Sequence, residues 1–297
     1  MDKKRGPSRH MCDRRCPAPR LAFLFQKAEL SMSAILPETE TSTAIRLPAS
    51  TPGLLGVLGG MGPLATVDFM QKLLTASNAS TDQDHVPSII SSVPQIPDRT
   101  EAFRGKGSSP LGAMVECALR LKAAGVGLIV MPCNTAHLWY DEIQVRTEVP
   151  MLHIVDAAIE DAVEKVGTNA CIGLLATDAT LASGLYINRR TGDSSRPAVR
   201  WMLPTAQEML DWVMPGIRAV KAGDLVTGRK LLLEAAKALH QRGAQALVMG
   251  CTEIPVVLND GNAPMPTIDT TAALASRAAR WSRSRRDDAG SSHLRVN

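Results

Sequence analysis

Cys133 and Cys251 are the residues whose placement most suggests chemistry. The first closes the apolar run GVGLIVMPC and the second closes GAQALVMGC, at an offset of 118 positions. Polar residues follow both, Asn134 and Thr135 in one case and Thr252 and Glu253 in the other. Ligands of open parallel sheets bind beyond the carboxyl ends of the strands. Two thiols brought there can face one another across a cleft. Such a pair can take a proton from one face of a stereocentre and return one to the other, exchanging roles for the mirror image. A helix N-terminus after each cysteine would supply N–H groups that bind a carboxylate and favour a thiolate. A lone cysteine at a strand end is ordinarily a small buried hydrophobe. The paired placement argues for more.

The surrounding pattern accounts for the pairing. Short apolar runs at 54–59, 88–93, 127–131, 171–175 and 246–250 alternate with amphipathic stretches, three of which end at Gly125, Gly167 and Gly243. Buried strands followed by glycine-stopped helices define an α/β fold with parallel sheets. The segment 56–70 also aligns with 173–187 at an offset of 117, matching Gly56 to Gly173 and Leu58 to Leu175. Two matches at nearly one offset imply two homologous halves. We therefore expect two similar domains, each a parallel sheet flanked by helices, related by pseudo-twofold symmetry. Their expected bounds are 51–152 plus 268–282 for the first and 153–267 for the second. Residues 1–50 read as a disordered arm, and 283–297 as a solvated tail.

Charge and composition narrow the function classes. The chain has 33 Lys and Arg against 29 Asp and Glu; residues 1–50 hold nine against five, and the remainder is balanced. No basic cluster falls on the folded part, so a small molecule is expected as partner rather than nucleic acid. Six cysteines without dense spacing suggest reduced thiols in a cytoplasmic protein. LAFLF at 21–25 is shorter than a signal-peptide core, and no run approaches a membrane span. Cys117 and Cys171 lack polar companions and read as structural. Cys12 and Cys16 have no second ligand pair, and His85 and His153 have no ligand spacing to other candidates, so no metal is expected.

One competing motif lies in the first half. Gly60, Gly62 and Ala65 satisfy GxGxxA after a strand, the opening of a dinucleotide fingerprint. That fingerprint needs an acid at the end of the second strand, whereas Asp82 and Asp84 precede the run at 88–93. Pro63, opening the helix, explains the turn by itself. A non-catalytic binding protein with a redox-active cysteine pair is a third reading.

Four segments, GGMGPLAT (59–66), PQIPDRT (94–100), MPCNTAH (131–137) and GCTEIP (250–255), occur in order. Together they resemble the aspartate/glutamate racemase superfamily, and within it the aspartate racemase branch, over about residues 53–282. Glutamate racemases begin with an Asp-Ser-Gly type loop and carry His after the second Cys-Thr. Here those places hold Gly59, Gly60, Met61 and Glu253. The resemblance implies a cofactor-independent amino-acid racemase, usually a homodimer, that interconverts L- and D-aspartate through Cys133 and Cys251. It also implies that Asn134, Thr135 and Thr252 hold the α-carboxylate and ammonium, and that Met61 and Gly62 form pocket wall. Arg99 and Lys221 are implied to bind the side-chain carboxylate. His137, one turn after Cys133, and Glu253 are expected to act through their neighbours. Related isomerases acting on maleate, glutamate, hydantoins or many amino acids remain alternatives.

Overall fold

The computed structural model describes residues 51–189 and 199–293. The expected arm, with Cys12 and Cys16, lies outside the described residues.

Seven strands form two parallel sheets within one compact unit of the chain. In the first, β1 (Leu55–Gly59) lies between β2 (Ser88–Ser92) and β3 (Leu128–Val130). In the second the order is β5 (Arg200–Met202), β4 (Cys171–Ala176), β6 (Ala246–Gly250) and β7 (Thr267–Asp269). The five apolar runs of the sequence thus correspond to β1, β2, β3, β4 and β6. Both central strands are continuously apolar, as parallel strands covered on two faces must be. The helices of the first half are α1 (Pro63–Ser77), α2 (Arg99–Phe103), α3 (Leu111–Ala123) and α4 (Tyr140–Thr147). Then come α5 (Ile154–Val166), α6 (Asp178–Ala182), α7 (Ala206–Glu208), α8 (Met214–Lys221), α9 (Leu225–Gln241) and α10 (Thr270–His293). Gly125, Gly167 and Gly243 all have positive φ, consistent with their expected role as helix stops.

The internal repeat extends to register and packing. Gly56 pairs with Ile129, and Gly173, its match, pairs with Leu247, the match of Ile129. A Cβ on Gly56 would press on Leu121 and Val126 at 3.3 and 3.0 Å. One on Gly173 would meet Leu239 and Ala244 at 3.1 and 3.4 Å. Each glycine therefore lets one helix, α3 or α9, lie close on its central strand. Even the short Ile129–Met151 bridge at the edge of the first sheet corresponds to β6–β7 pairing in the second.

The described structure departs from the expected bounds in two places. β7 joins the second sheet, so that sheet reaches Asp269, beyond the expected limit at 267. The tail expected from 283 is helical as far as His293. It is tied down by backbone-directed bonds: Ser282 Oγ donates to Gly53 O at 2.8 Å, Arg283 to Ser77 O at 3.1 Å, and Arg286 to Asp84 O at 2.9 Å. The polar side chains that suggest a solvated tail are the ones that anchor the helix.

Candidate active site

Both cysteines lie just beyond strands of equivalent position. Cys251 directly succeeds β6, and Cys133 comes three residues after β3. They are buried, at 5% and 6% exposure. Each leads into a short 3-10 turn, Thr135–Trp139, which α4 continues without a gap, or Ile254–Val256, which stands alone. Any dipolar help to Cys251 thus comes from a single turn, while the turn after Cys133 is backed by α4.

Beside them opens a cleft of about 590 Å³ lined by Gly60, Gly62, Arg99, Lys221, Glu253 and neighbouring residues. Arg99 is buried at the start of α2, not in a solvent-facing salt bridge. Its guanidinium donates to Ile96 O at 3.0 Å, Pro97 O at 2.9 Å and Met61 O at 3.1 Å. Its Nε is buried with no partner among the described residues. Asp98 caps α2, accepting from Thr100 N and Glu101 N at 2.8 and 2.9 Å. Burial works to raise the Asp98 pKa, but these bonds and the charges of Lys221 and Arg99 prevail and lower it.

Lys221 comes from the end of α8 and lines the cleft. Partial burial favours its neutral form, yet the negative potential of Glu253, Cys251, Cys133 and Asp98 outweighs this and raises its pKa. The ammonium therefore feels both thiols. Cys251 Sγ donates to Glu253 Oε2 at 3.0 Å. Burial first, and the Glu253 carboxylate second, push the Cys251 pKa well up, with Lys221 acting in opposition.

Asn134 is engaged at both ends of its amide. Nδ2 donates to Thr270 Oγ1 at 3.1 Å, and Oδ1 accepts from Tyr186 at 2.5 Å. Thr135 Oγ1 lies 3.0 and 2.9 Å from the Thr177 and Thr180 hydroxyls at the end of β4. Both residues thus join the two halves. Thr252 is buried next to Cys251, and Met61 packs in the core that also contains Cys133. Tyr186, Thr270, Thr177 and Thr180 do not stand out in the sequence; only TDAT, aligned opposite the glycine loop after β1, offers a signal.

His137 holds its neighbours in place. Its Nδ1 bonds Cys133 O at 2.9 Å and its Nε2 accepts from Ile154 N at 3.2 Å, which fixes a neutral ring with hydrogen on Nδ1. Burial lowers its pKa from 6.5 to about 4. Between those values the unfolded chain binds a proton that the folded chain refuses. The contribution of His137 to stability is therefore full above pH 6.5 and falls as pH drops towards 4, by about 3 kcal/mol. Denaturant titrations at pH 7 and 4 should show a fall of this sign, and His137→Gln should remove only that residue's share, since burial and the neighbouring His137 lower the pKa of His153 as well. His153 has a different task, capping α5 by accepting from Val155 N at 3.2 Å.

The glycines of the fingerprint-like segment also have structural reasons. Gly60 has φ +88°, and a Cβ there would stand 2.3 Å from Val93 N. Its own N–H donates to Thr66 Oγ1 at 2.8 Å, and Gly62 precedes Pro63 at the start of α1. Asp82 and Asp84 lie in a turn before β2, not at its end. Among the described residues no group of three or more His, Cys, Asp or Glu could hold a metal, and no helix is long and apolar enough to cross a membrane.

Two α/β halves with a cysteine at equivalent strand ends define a class that comparison makes specific. The chain belongs to the Asp/Glu/Hydantoin racemase family, whose profile matches residues 58–278. It is an amino-acid racemase that works without pyridoxal phosphate. Among solved structures, Picrophilus torridus aspartate racemase is 33% identical with a TM-score of 0.68, covering 77% of this chain and 94% of that one. The broad specificity amino-acid racemase RacX of Bacillus subtilis (strain 168) is 29% identical over 229 residues, 75% of this chain and 95% of its own length. A glutamate racemase from Aquifex pyrophilus is 28% identical over 147 residues, 48% of this chain and 52% of its own.

Proposed function

We propose that the chain interconverts L- and D-aspartate by two-base proton transfer between Cys133 and Cys251. The observation that carries this reading is that two buried cysteines lie at matching strand ends, one of them bonded to Glu253, which lines with Arg99 and Lys221 the cleft beside them. One thiol, ionised, takes the α-proton; the other, protonated, returns a proton to the opposite face; the pair ends with its protonation states exchanged. Its pH profile belongs to the coupled pair and not to either cysteine. Negative charge developing on the α-carboxylate is stabilised by N–H groups of the turns after the cysteines and by Thr252.

Two cations in one cleft favour a substrate with a second carboxylate. Arg99 Nη2 gives one N–H to Met61 O and has a second to offer that group. Resemblance to a broad specificity racemase supports a wider range as the second reading. Steady-state rates with L-aspartate, L-glutamate, L-alanine and L-lysine separate the two. An acidic-substrate enzyme shows kcat/KM for aspartate at least about 10²-fold above alanine, the worth of one or two charge-assisted hydrogen bonds. Equal rates across the panel would establish the broad reading instead.

A further inference from the structure

The two thiols occupy matching places, but the residues two positions beyond them differ. The offset that matches Cys133 to Cys251 matches Thr135 to Glu253. Thr135 spends its hydroxyl on Thr177 and Thr180, the N-cap and first turn of α6 after β4. Glu253 keeps its carboxylate on the thiol, accepting from Cys251 Sγ at 3.0 Å. The loop it faces, after β1, is glycine-rich, and a Cβ on Gly62 would lie 3.4 Å from Glu253 Oε1. One half of the site is thus closed by three hydroxyls, while the other holds a buried carboxylate.

We infer that Glu253 is a positioning residue that makes the thiol pair unequal, keeping the resting proton on Cys251 and leaving Cys133 to supply the thiolate. Ionising Cys251 would exchange an S–H···O⁻ hydrogen bond for a thiolate set against a carboxylate. Lys221 opposes that penalty, and Tyr186, also near Cys251, is neutral. Cys133 and Asp98 are the other ionisable groups around Lys221. In a turnover that starts from the resting form, the Cys133 thiolate takes the α-proton and becomes a thiol. Cys251 gives its proton to the opposite face and becomes a thiolate, its bond to Glu253 lost. Cys251 then regains a proton from solvent and Cys133 releases one, restoring the resting form. The enantiomer whose α-hydrogen faces Cys133 meets a ready enzyme, and the other requires the rarer form. Because enantiomers are equally stable, kcat/KM is the same in both directions, so the inequality must be read on the thiols themselves.

This rests on the two-thiol reading, which cysteine variants test separately through activity. Here the readout is iodoacetamide alkylation of the full chain as a function of pH, with each cysteine followed by peptide mass spectrometry. In the native protein Cys133 should react first. Glu253→Gln keeps the shape and an acceptor oxygen but removes the charge, so the Cys251 midpoint should fall by about one pH unit, with alkylation about tenfold faster at a fixed pH below it. Glu253→Asp should preserve the native order. Cys117, buried in α3, reports any opening of the fold. If Glu253→Gln opens it, Glu253→Thr, which makes the halves alike, carries the test with the same expected fall. A Cys251 profile unmoved in the folded variant, or native Cys251 reacting before Cys133, would overturn the inference.

Discussion

Cys133→Ala and Cys251→Ala each lower aspartate racemisation by at least about 10²- to 10⁴-fold, the usual contribution of one positioned acid or base. Both side chains are nearly fully buried and an alanine leaves only the space of one atom, Cys251→Ala also removing the donor of the bond to Glu253. The fold should therefore persist, with a melting temperature within a few degrees of the native value. The losses should also be strongly non-additive, because a two-base transfer fails once either partner is gone. The double variant should be scarcely slower than either single one. Circular dichroism and racemisation rates on the three variants check this. Full activity in either single variant would remove that cysteine from the reaction.

Arg99→Ala should be the most damaging change outside the thiols. The side chain has two tasks at once. Its three bonds to the carbonyls of Met61, Ile96 and Pro97 hold the loops after β1 and β2 together, and in the proposed mechanism its remaining donors take the substrate's second carboxylate. Losing a charge-assisted bond of this kind costs about 1.5–3 kcal/mol, so kcat/KM for aspartate should fall about 10- to 10²-fold from recognition alone. Loop disorder adds a loss common to every substrate. A slow substrate without a second carboxylate, such as alanine, isolates the common part. We expect aspartate to lose at least about tenfold more than alanine. Arg99→Lys keeps a charge but not the planar fork, so it should recover little of either task. Equal losses for both substrates would leave Arg99 a purely structural residue.

Much of this arrangement is legible in the chain, for identifiable reasons. β1, β4 and β6 announce themselves because parallel central strands must be apolar on both faces, and the fully buried β3 beside β1 shares the pattern. The repeat is visible because Gly56 and Gly173 serve one packing need, the approach of α3 or α9 to the sheet. β5 and β7 leave no such mark because Arg200–Met202 and Thr267–Asp269 mix polar with apolar residues, whereas the equally short β3 is all apolar. The tail reads as solvated because its arginines and serines bond to carbonyls of distant loops, a fact that composition cannot express.

At the site, residue types are legible from sequence but their partners are not. Thr135 and Asn134 read as free polar groups beside a thiol, and in the structure their side chains are engaged with Thr177, Thr180, Tyr186 and Thr270. Whatever they contribute to substrate binding must come alongside those bonds. His137 is ambiguous by spacing alone, and its two satisfied nitrogens decide for a neutral ring that fixes the Cys133 carbonyl. Lys221 has the weakest sequence support, yet it lies within electrostatic reach of both cysteines. A residue on α8 comes near β3 only through folding, and no local spacing encodes that.

The central claim is the two-base transfer, and its most direct test is isotopic. The purified protein, free of pyridoxal phosphate, is incubated with L-aspartate in D2O, and D-aspartate formation and α-deuterium are followed together in both enantiomers at early times. Two opposed thiols predict that each D-aspartate formed carries deuterium from solvent while the remaining L-aspartate stays largely protiated, and that prior thiol alkylation stops both signals. D-aspartate that retains the original α-proton, or racemisation that survives alkylation of Cys133 and Cys251, would contradict it.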